Sequence, residues 1–392
     1  MERPLHRSGL LLFQAMPMIS ALSEHDAALI AEHAAQADLD GWLHPAQQAL
    51  IHERGWLRML APRAVGGEEL ALPDVVRLEE AIARVDGSMG WTVTLCAGAG
   101  WFAGFLAPAL AREILATPQV CLAGSGAPTG YADREGEGWR IAGLWDYASG
   151  APMATHFTFN AILRADGQPL LDDAGQPRIQ AFVVPAALVE IVPNWRSIGL
   201  RATASHAYRV SGQWVHADHG FAIDPARAYG QGALYRFPFL PFAFVTLSAN
   251  VAGMAFHFVE LAQECIARRR NRFGGQGEPL IEVPAVRALL DATRLQLDEV
   301  RGRFYALLDA TWARVAAGGK VSDEEAAQME ALSMEWVGAS RRAVDALYPY
   351  CGLYAAREDS PINRVWRDFH TASQHALLMP RADTGQTATM RL

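Results

Sequence analysis

The residues best suited to chemistry stand near the C-terminus, in Arg364-Val365-Trp366-Arg367-Asp368-Phe369-His370-Thr371-Ala372-Ser373-Gln374-His375. The segment reads as one helix with an Arg-Asp pair at its start and a histidine two turns on. Asp368 and His375 are seven apart, which puts them on one helical face. They lie roughly 10 Å apart along the axis, too far for direct contact. His375 sits among Ala372, Ala376, Leu378 and Met379, so it faces an apolar region. A histidine there is either a satisfied core residue or a proton-handling group. Ser149, beside Gly150 at a strand-to-turn position, either bonds its own backbone or aims its hydroxyl into a site. Trp145 fills a core or walls a planar ligand. Thr203 and Ser205 cap a loop or donate to a ligand. Arg268-Arg269-Arg270 is a solvated charge run or an anion-binding fork.

Other arrangements point away from chemistry. Gly98-Ala99-Gly100 lacks the third glycine and the βαβ setting of a dinucleotide fingerprint. His216 and His219 are three apart but end a β segment with no further ligands, so no metal is expected. No Gly-x-Ser-x-Gly elbow supports a hydrolase.

These residues must be placed by three kinds of chain. Residues 20–118 read as helical: Ala27, Leu29, Ile30 and Ala34 recur at helical spacing, and Val75, Val76, Leu78, Ala81, Ile82 and Val85 form one stripe. Pro62 and Gly66-Gly67 mark loops. Asp86-Gly87-Ser88 breaks the chain before an apolar helix from Trp91 to about Leu106. After Pro118, short β runs alternate with Gly, Pro and Asp: Trp139–Gly143, His156–Leu163, Gln180–Val184 and Tyr208–Val215. Asp172-Asp173-Ala174-Gly175 reads as a hairpin turn. Long helices return at Phe242–Arg270, Pro284–Ala317, Ser322–Tyr348 and Pro361–Met379. Pro284 and Pro361 suit first-turn positions, and Ser322 with Glu325 makes a capping box. The expected division is a helical domain over 1–118, an antiparallel β domain over 119–227 and a four-helix domain over 228–392, mostly α with a central β part.

The formal charge of −8 argues against general nucleic-acid binding. Cys96, Cys121, Cys265 and Cys351 show no CxxC or zinc spacing and read as buried free thiols of a reducing compartment. No apolar run approaches the ~18 residues of a membrane span, and Leu10–Phe13 is too short for a signal-peptide core. The expectation is a cytoplasmic protein.

The order helical–β–four-helix, together with three segments, resembles the acyl-CoA dehydrogenase superfamily. Gly55-Trp56-Leu57 … Pro62-Arg63-Ala64-Val65-Gly66-Gly67 is similar to that family's N-terminal loop, Arg270-Asn271-Arg272-Phe273-Gly274 to its R-x-x-F-G motif, and Pro361-Ile362-Asn363-Arg364 … Arg367-Asp368 to its P-x-x-R-x-x-R-D segment. Asp86-Gly87-Ser88-Met89-Gly90-Trp91, Gly143-Leu144-Trp145-Asp146-Tyr147-Ala148-Ser149-Gly150, Gly199-Leu200-Arg201-Ala202-Thr203-Ala204-Ser205 and the Arg-Asp-x6-His ending at His375 look more like one branch. That branch is the oxygenase components of two-component flavin-dependent monooxygenases. Ala202 and Ala204 depart from its glycines.

The resemblance implies a cofactor of reduced FMN or FAD, delivered by a separate NAD(P)H-flavin reductase. With O2 it would oxygenate a small apolar, aromatic substrate through a flavin C4a-hydroperoxide. It implies His375 as general base with a pKa near the operating pH, and Ser149 at the flavin edge. Trp145, Ser125, Thr203 and Ser205 would bind flavin. Arg270 and Phe273 would reach flavin of a neighbouring subunit in a homotetramer. Trp91, Phe239 and Phe242 would contact substrate, with Phe237 nearby. The alternative is an acyl-CoA dehydrogenase with FAD and Asp359 or Glu358 as the carboxylate base. Against it, Pro380-Arg381-Ala382-Asp383-Thr384-Gly385 does not match the dehydrogenases' flavin loop.

Overall fold

A computed structural model describes residues 22–272 and 277–379. The chain opens with α1 (Glu24–Asp40), α2 (Pro45–Glu53), α3 (Leu72–Val85), α4 (Gly87–Trp101) and α5 (Pro108–Leu115). Strands follow: β1 (Leu122–Glu135), β2 (Gly138–Ala148), β3 (His156–Ala165), β4 (Gln168–Pro169), β5 (Ile179–Pro185), β6 (Glu190–Val192), β7 (His206–His216) and β8 (Gly220–Phe221). The chain then returns to helix in α6 (Phe239–Ala267), α7 (Pro284–Ala316), α8 (Asp323–Cys351) and α9 (Pro361–Ala372).

Helix α4 packs against α3, α6, α9 and β1. Asp86 caps it by accepting from Met89 N–H at 2.7 Å, which satisfies one of the first-turn donors. Its own residues are apolar or small on every face, and all of them except Leu95 and Gly98 are buried. A side chain at Gly90 would meet Ala83 Cα at 2.6 Å, so that glycine lets α3 lie close. The helix therefore starts at Gly87, earlier than the Asp-Gly-Ser break suggested, because the aspartate is the cap and not the breaker.

The strands form one sheet in the order β6-β7-β2-β1-β3-β5-β8, with β4 on β3. The expected antiparallel sheet is corrected to a mixed one: β1 and β3 run parallel. Strand β1 itself has no clear signal in the sequence, since Gly124-Ser125-Gly126-Ala127-Pro128-Thr129-Gly130 reads as turn. In the sheet that stretch is an irregularity between Ser125 and Gly130, which bulges residues out of the ladder. Asp172 accepts from Gly175 N–H at 2.9 Å, as a hairpin turn requires.

Helix α6 packs on α3 and α8, and α9 closes over α6 and α4. By length and composition α6 could cross a membrane, contrary to the reading that no run is long enough, and 83% of that stretch is buried inside the fold. It is a core helix. Ser322 and Glu325 form the expected capping box on α8. The four cysteines are buried and free, and in space Cys96 neighbours Cys121 and Cys265 neighbours Cys351.

The last helix is shorter than its sequence suggested. It stops at Ala372, and His375 begins a separate single turn, Ala376–Leu378. Arg341 from α8 donates to Ser373 O and, at 3.1 Å, to Leu378 O. That guanidinium satisfies the free carbonyls where α9 ends and folds the chain back. Asp368 and His375 consequently do not share a helical face.

Candidate functional site

Two clusters meet on α4. The first is polar. The ladder between β2 and β7 shifts register between Trp145 and Ala148, and Tyr147 (φ 71°) and Gly150 (φ 75°) turn the chain sharply. The turn delivers Ser149 to the loop before β7. Gly150 N–H donates to Thr203 O at 2.8 Å. Ser149 Oγ lies 2.9 Å from Ser205 Oγ, which lies 2.6 Å from Thr203 Oγ1; Thr203 Oγ1 donates to Leu200 O at 2.8 Å. All three hydroxyl residues are buried. Beneath them, Cys96 of α4 donates its thiol to Ser149 O at 3.4 Å, and a side chain at Gly150 would come within 3.3 Å of Thr92 Cγ2.

Helix α9 holds that loop in a strained shape. Leu200 and Ala204 have φ of 52° and 44°, a region that costs non-glycine residues energy. Asp368 Oδ1 accepts from Leu200 N–H at 2.5 Å, and Arg367 Nη1 donates to Ile198 O at 2.6 Å. Arg367 also grips Asp38 of α1 through both guanidinium nitrogens, at 2.6 and 3.2 Å. Burial first, and then the charge of Asp86, push Asp368 up to about 8, so it stays protonated at neutral pH. Arg367 and Asp368 thus latch the hydroxyl loop instead of serving His375.

The second cluster is apolar. His375 stacks edge-on against Trp91 of α4, ring centroids 5.8 Å apart. Its Nδ1 accepts from Leu377 N–H at 3.3 Å. A lone pair used there leaves the ring proton on Nε2. Burial pulls its pKa down to about 4, which corrects the expectation of a value near operating pH. His375 is a neutral imidazole with an N–H to offer.

From Trp91 the stripe Leu95, Gly98 and Phe102 runs along α4 at helical spacing, and these last three are only half-buried. Phe102 meets Phe221 at 5.6 Å and Phe239 at 6.2 Å between centroids; Phe242 stacks on Trp101 at 4.8 Å. The expected Trp91, Phe239 and Phe242 thus mark the two ends of one stripe, with Phe237 fully buried behind it. Gly98 has no packing reason to be glycine. A side chain there would find only Phe242 Cε1, at 3.9 Å, whereas at Gly100 it would strike Leu57 O at 2.7 Å.

Several expected residues lie elsewhere. Trp145 is completely buried, donates Nε1–H to Asn160 O at 2.9 Å and packs on Phe159 and Tyr208; it fills the sheet core. The exposed aromatic is Tyr147, 70% exposed and edge-on to Trp195. Alternation along a regular strand would have put residues 145 and 147 on one side; the bulge defeats it. Thr203 and Ser205 spend their protons inside the cluster. Ser125 heads the β1 bulge, half-buried, accepting from Ala127 N–H. Arg270 is exposed and donates to Gly277 O at 3.0 Å. It lies beyond the far end of α6 from Phe239, about 44 Å away. Phe273 lies outside the described residues. Asp359 is exposed and paired with Arg357 at 2.6 Å, and Glu358 is exposed and paired with Arg201 at 2.9 Å. Neither carboxylate faces the apolar stripe.

The architecture is the acyl-CoA dehydrogenase fold, and residues 245–380 match the family model "Acyl-CoA dehydrogenase, C-terminal domain". Among individual proteins, the chain is 26% identical over 339 residues to the "Pigment production hydroxylase" of Rhodococcus erythropolis, covering 83% of this chain and 84% of that one. It is 25% identical over 342 residues to the oxygenase component of the "FADH(2)-dependent resorcinol hydroxylase" of a Rhizobium species, covering 83% and 82%. The crystal structure of the HsaA monooxygenase from M. tuberculosis superposes with a TM-score of 0.82 at 22% identity, covering 93% of this chain and 92% of that one.

Proposed function

We propose that this protein is the oxygenase component of a two-component flavin-dependent monooxygenase. It takes reduced FMN or FAD from a separate NAD(P)H-flavin reductase and uses O2 to oxygenate a small, apolar, aromatic substrate. The observation that carries this reading is the pair of clusters on α4: buried hydroxyls against Thr92 and Cys96, and a neutral imidazole against Trp91.

The residues fit a flavin. A tricyclic ring needs an aromatic face, a polar edge partner and a cation for its phosphate. Tyr147 with Trp195 offers the face, Ser149 the edge partner, and Ser125 lies beside the bulge where a polar tail would run. Arg270, exposed beyond the end of α6, is the phosphate fork and works across a subunit boundary of a homotetramer. When bound, the reduced flavin supplies the electrons that activate O2.

The substrate lies along Trp91, Leu95, Gly98, Phe239 and Phe242. A flat molecule passing over Gly98 explains why that position has no side chain. His375 donates Nε2–H to the substrate's polar group and fixes its orientation, and the apolar stripe keeps water out. The three units, 1–118, 119–227 and 228–392, contribute α4, the hydroxyl turn, and His375 with Arg270, respectively. The setting is the cytoplasm, where a soluble reductase delivers the flavin.

The test is to supply chemically reduced FMN or FAD with oxygen and a panel of phenols and indoles, then seek products heavier by one oxygen atom by mass spectrometry. Product should form only with reduced flavin. NADH consumption by the protein alone, or oxidation of an acyl-CoA in place of oxygenation, would overturn the reading.

A further inference from the structure

Three oxygen–oxygen contacts tie the hydroxyl cluster together: Ser149 Oγ to Ser205 Oγ at 2.9 Å, Ser205 Oγ to Thr203 Oγ1 at 2.6 Å, and Thr203 Oγ1 to Leu200 O at 2.8 Å. Two oxygens at that range attract only when a proton lies between them. Three hydroxyls carry one proton each, and the carbonyl carries none. One assignment alone puts a proton in every contact: Thr203 donates to Leu200 O, Ser205 donates to Thr203, and Ser149 donates to Ser205. Exposures of 6% for Ser149, 3% for Ser205 and 1% for Thr203 leave little room for water to offer another arrangement. Ser149 is left with lone pairs only for anything that meets it from the site.

We infer that Ser149 meets the flavin as a hydrogen-bond acceptor, locked in that sense by Ser205 and Thr203, and that the lock selects the reduced form of the ring. The inference rests on the flavin reading above and adds to it a reason for redox preference. Reduced flavin carries an N–H at N5, where the oxidised ring has a bare lone pair. An acceptor attracts the first and repels the second. Were Ser149 free to rotate its proton outward, it would serve either form equally. Ser205 and Thr203 are therefore positioning residues: they act through Ser149 and need not touch the ring.

The test compares anaerobic equilibrium affinities for reduced and oxidised FMN in the wild type, Thr203→Val, Thr203→Ser and Ser205→Ala. Circular dichroism checks that each variant folds. Valine has threonine's shape without its proton acceptor, so Ser205 loses its partner, turns to Ser149, and frees the Ser149 proton. The wild type should prefer reduced flavin. In Thr203→Val and Ser205→Ala that preference should fall about tenfold, partly because oxidised flavin binds more tightly than in the wild type. The midpoint potential of bound flavin should drop by about 30 mV, the equivalent of tenfold for a two-electron couple. Thr203→Ser, which keeps the hydroxyl, should restore the wild-type preference. If both forms lose affinity equally and the ratio holds, the cluster only packs the turn and the inference is overturned with the flavin reading intact. If the wild type binds neither form, the flavin reading falls and this inference falls with it.

Discussion

The two sides of α4 solve opposite problems. On the side of Ser149, polar groups are tied to one another: hydroxyl to hydroxyl, loop amide to Asp368, loop carbonyl to Arg367. On the side of His375, one polar ring hangs from a single turn among apolar neighbours. A fully satisfied network is rigid and specifies one ligand form. A lone imidazole in an apolar stripe imposes only one directional contact on what lies beside it. Under the proposed function the hydroxyl side would recognise the cofactor and the imidazole side the substrate, so the two sides should be open to disturbance independently.

The largest expected effect is on the imidazole side. His375→Ala should lower the oxygenation rate by about 10²-fold, the order of loss that follows when a substrate is no longer held in line. Reduced-flavin affinity should stay within about twofold of wild type, and hydrogen peroxide should replace product. Because the ring is neutral down to about pH 4, the wild-type rate should show no inflection near 6.5 from this residue. A stopped-flow and product-yield comparison measures all three. Loss of flavin binding in His375→Ala would mean that the two clusters are one site.

Next comes Gly98→Val. It should leave phenol turnover within about twofold and raise KM for 2-naphthol by about tenfold, since the branched side chain closes the gap beside Phe242. The milder Gly98→Ala should raise the melting temperature by about 1–2 °C, because alanine is the better helix residue and meets no close neighbour. Unchanged KM values for both substrates would remove the stripe from the substrate path.

The third effect is on stability. Folded Asp368 keeps its proton up to about pH 8, while in the unfolded chain a carboxyl loses it near 4. The folded state therefore binds the extra proton between those values, and stability falls as pH rises through that window. His375 works in the opposite sense: its folded pKa is depressed, so its contribution is full above about 6.5 and is lost as pH falls towards 4. Asp368→Asn keeps an acceptor for Leu200 N–H and removes the titration. Its melting temperature should decline less than that of wild type between about pH 6 and 8.5 in thermal scans. Equal slopes would show that Asp368 is already ionised.

The sequence made the helices and most strands legible because their periods and caps are local. It also named Ser149, Thr203, Ser205, Trp91 and His375, whose proximity to one another or to α4 the fold supplies. It misplaced Trp145 and overlooked Tyr147 because a bulge breaks the alternation that a strand reading assumes. It carried α9 on to His375 because nothing local announces Arg341, a long-range cap from another helix. The pKa of His375 depends on burial, and the latch of Asp368 on a residue 168 positions away. Those facts belong to tertiary structure and leave no mark on spacing.

The smallest effect is expected at Asp359. Its carboxylate occupies the place where a dehydrogenase reading would put the base, so the two readings diverge there most sharply. The side chain is 68% exposed and clasped by Arg357 through both guanidinium arms. That guanidinium holds the carboxyl below its usual range, which makes it a weaker base still. Exposed pairs of this kind contribute little to stability. Asp359→Ala should therefore leave oxygenation, flavin affinity and melting temperature close to wild type, within about twofold in rate. His375→Ala, in the same assay, should lose product while keeping flavin. If Asp359→Ala instead abolishes activity and His375→Ala does not, the working carboxylate is at the head of α9, and the division between a hydroxyl side and an imidazole side no longer describes this molecule.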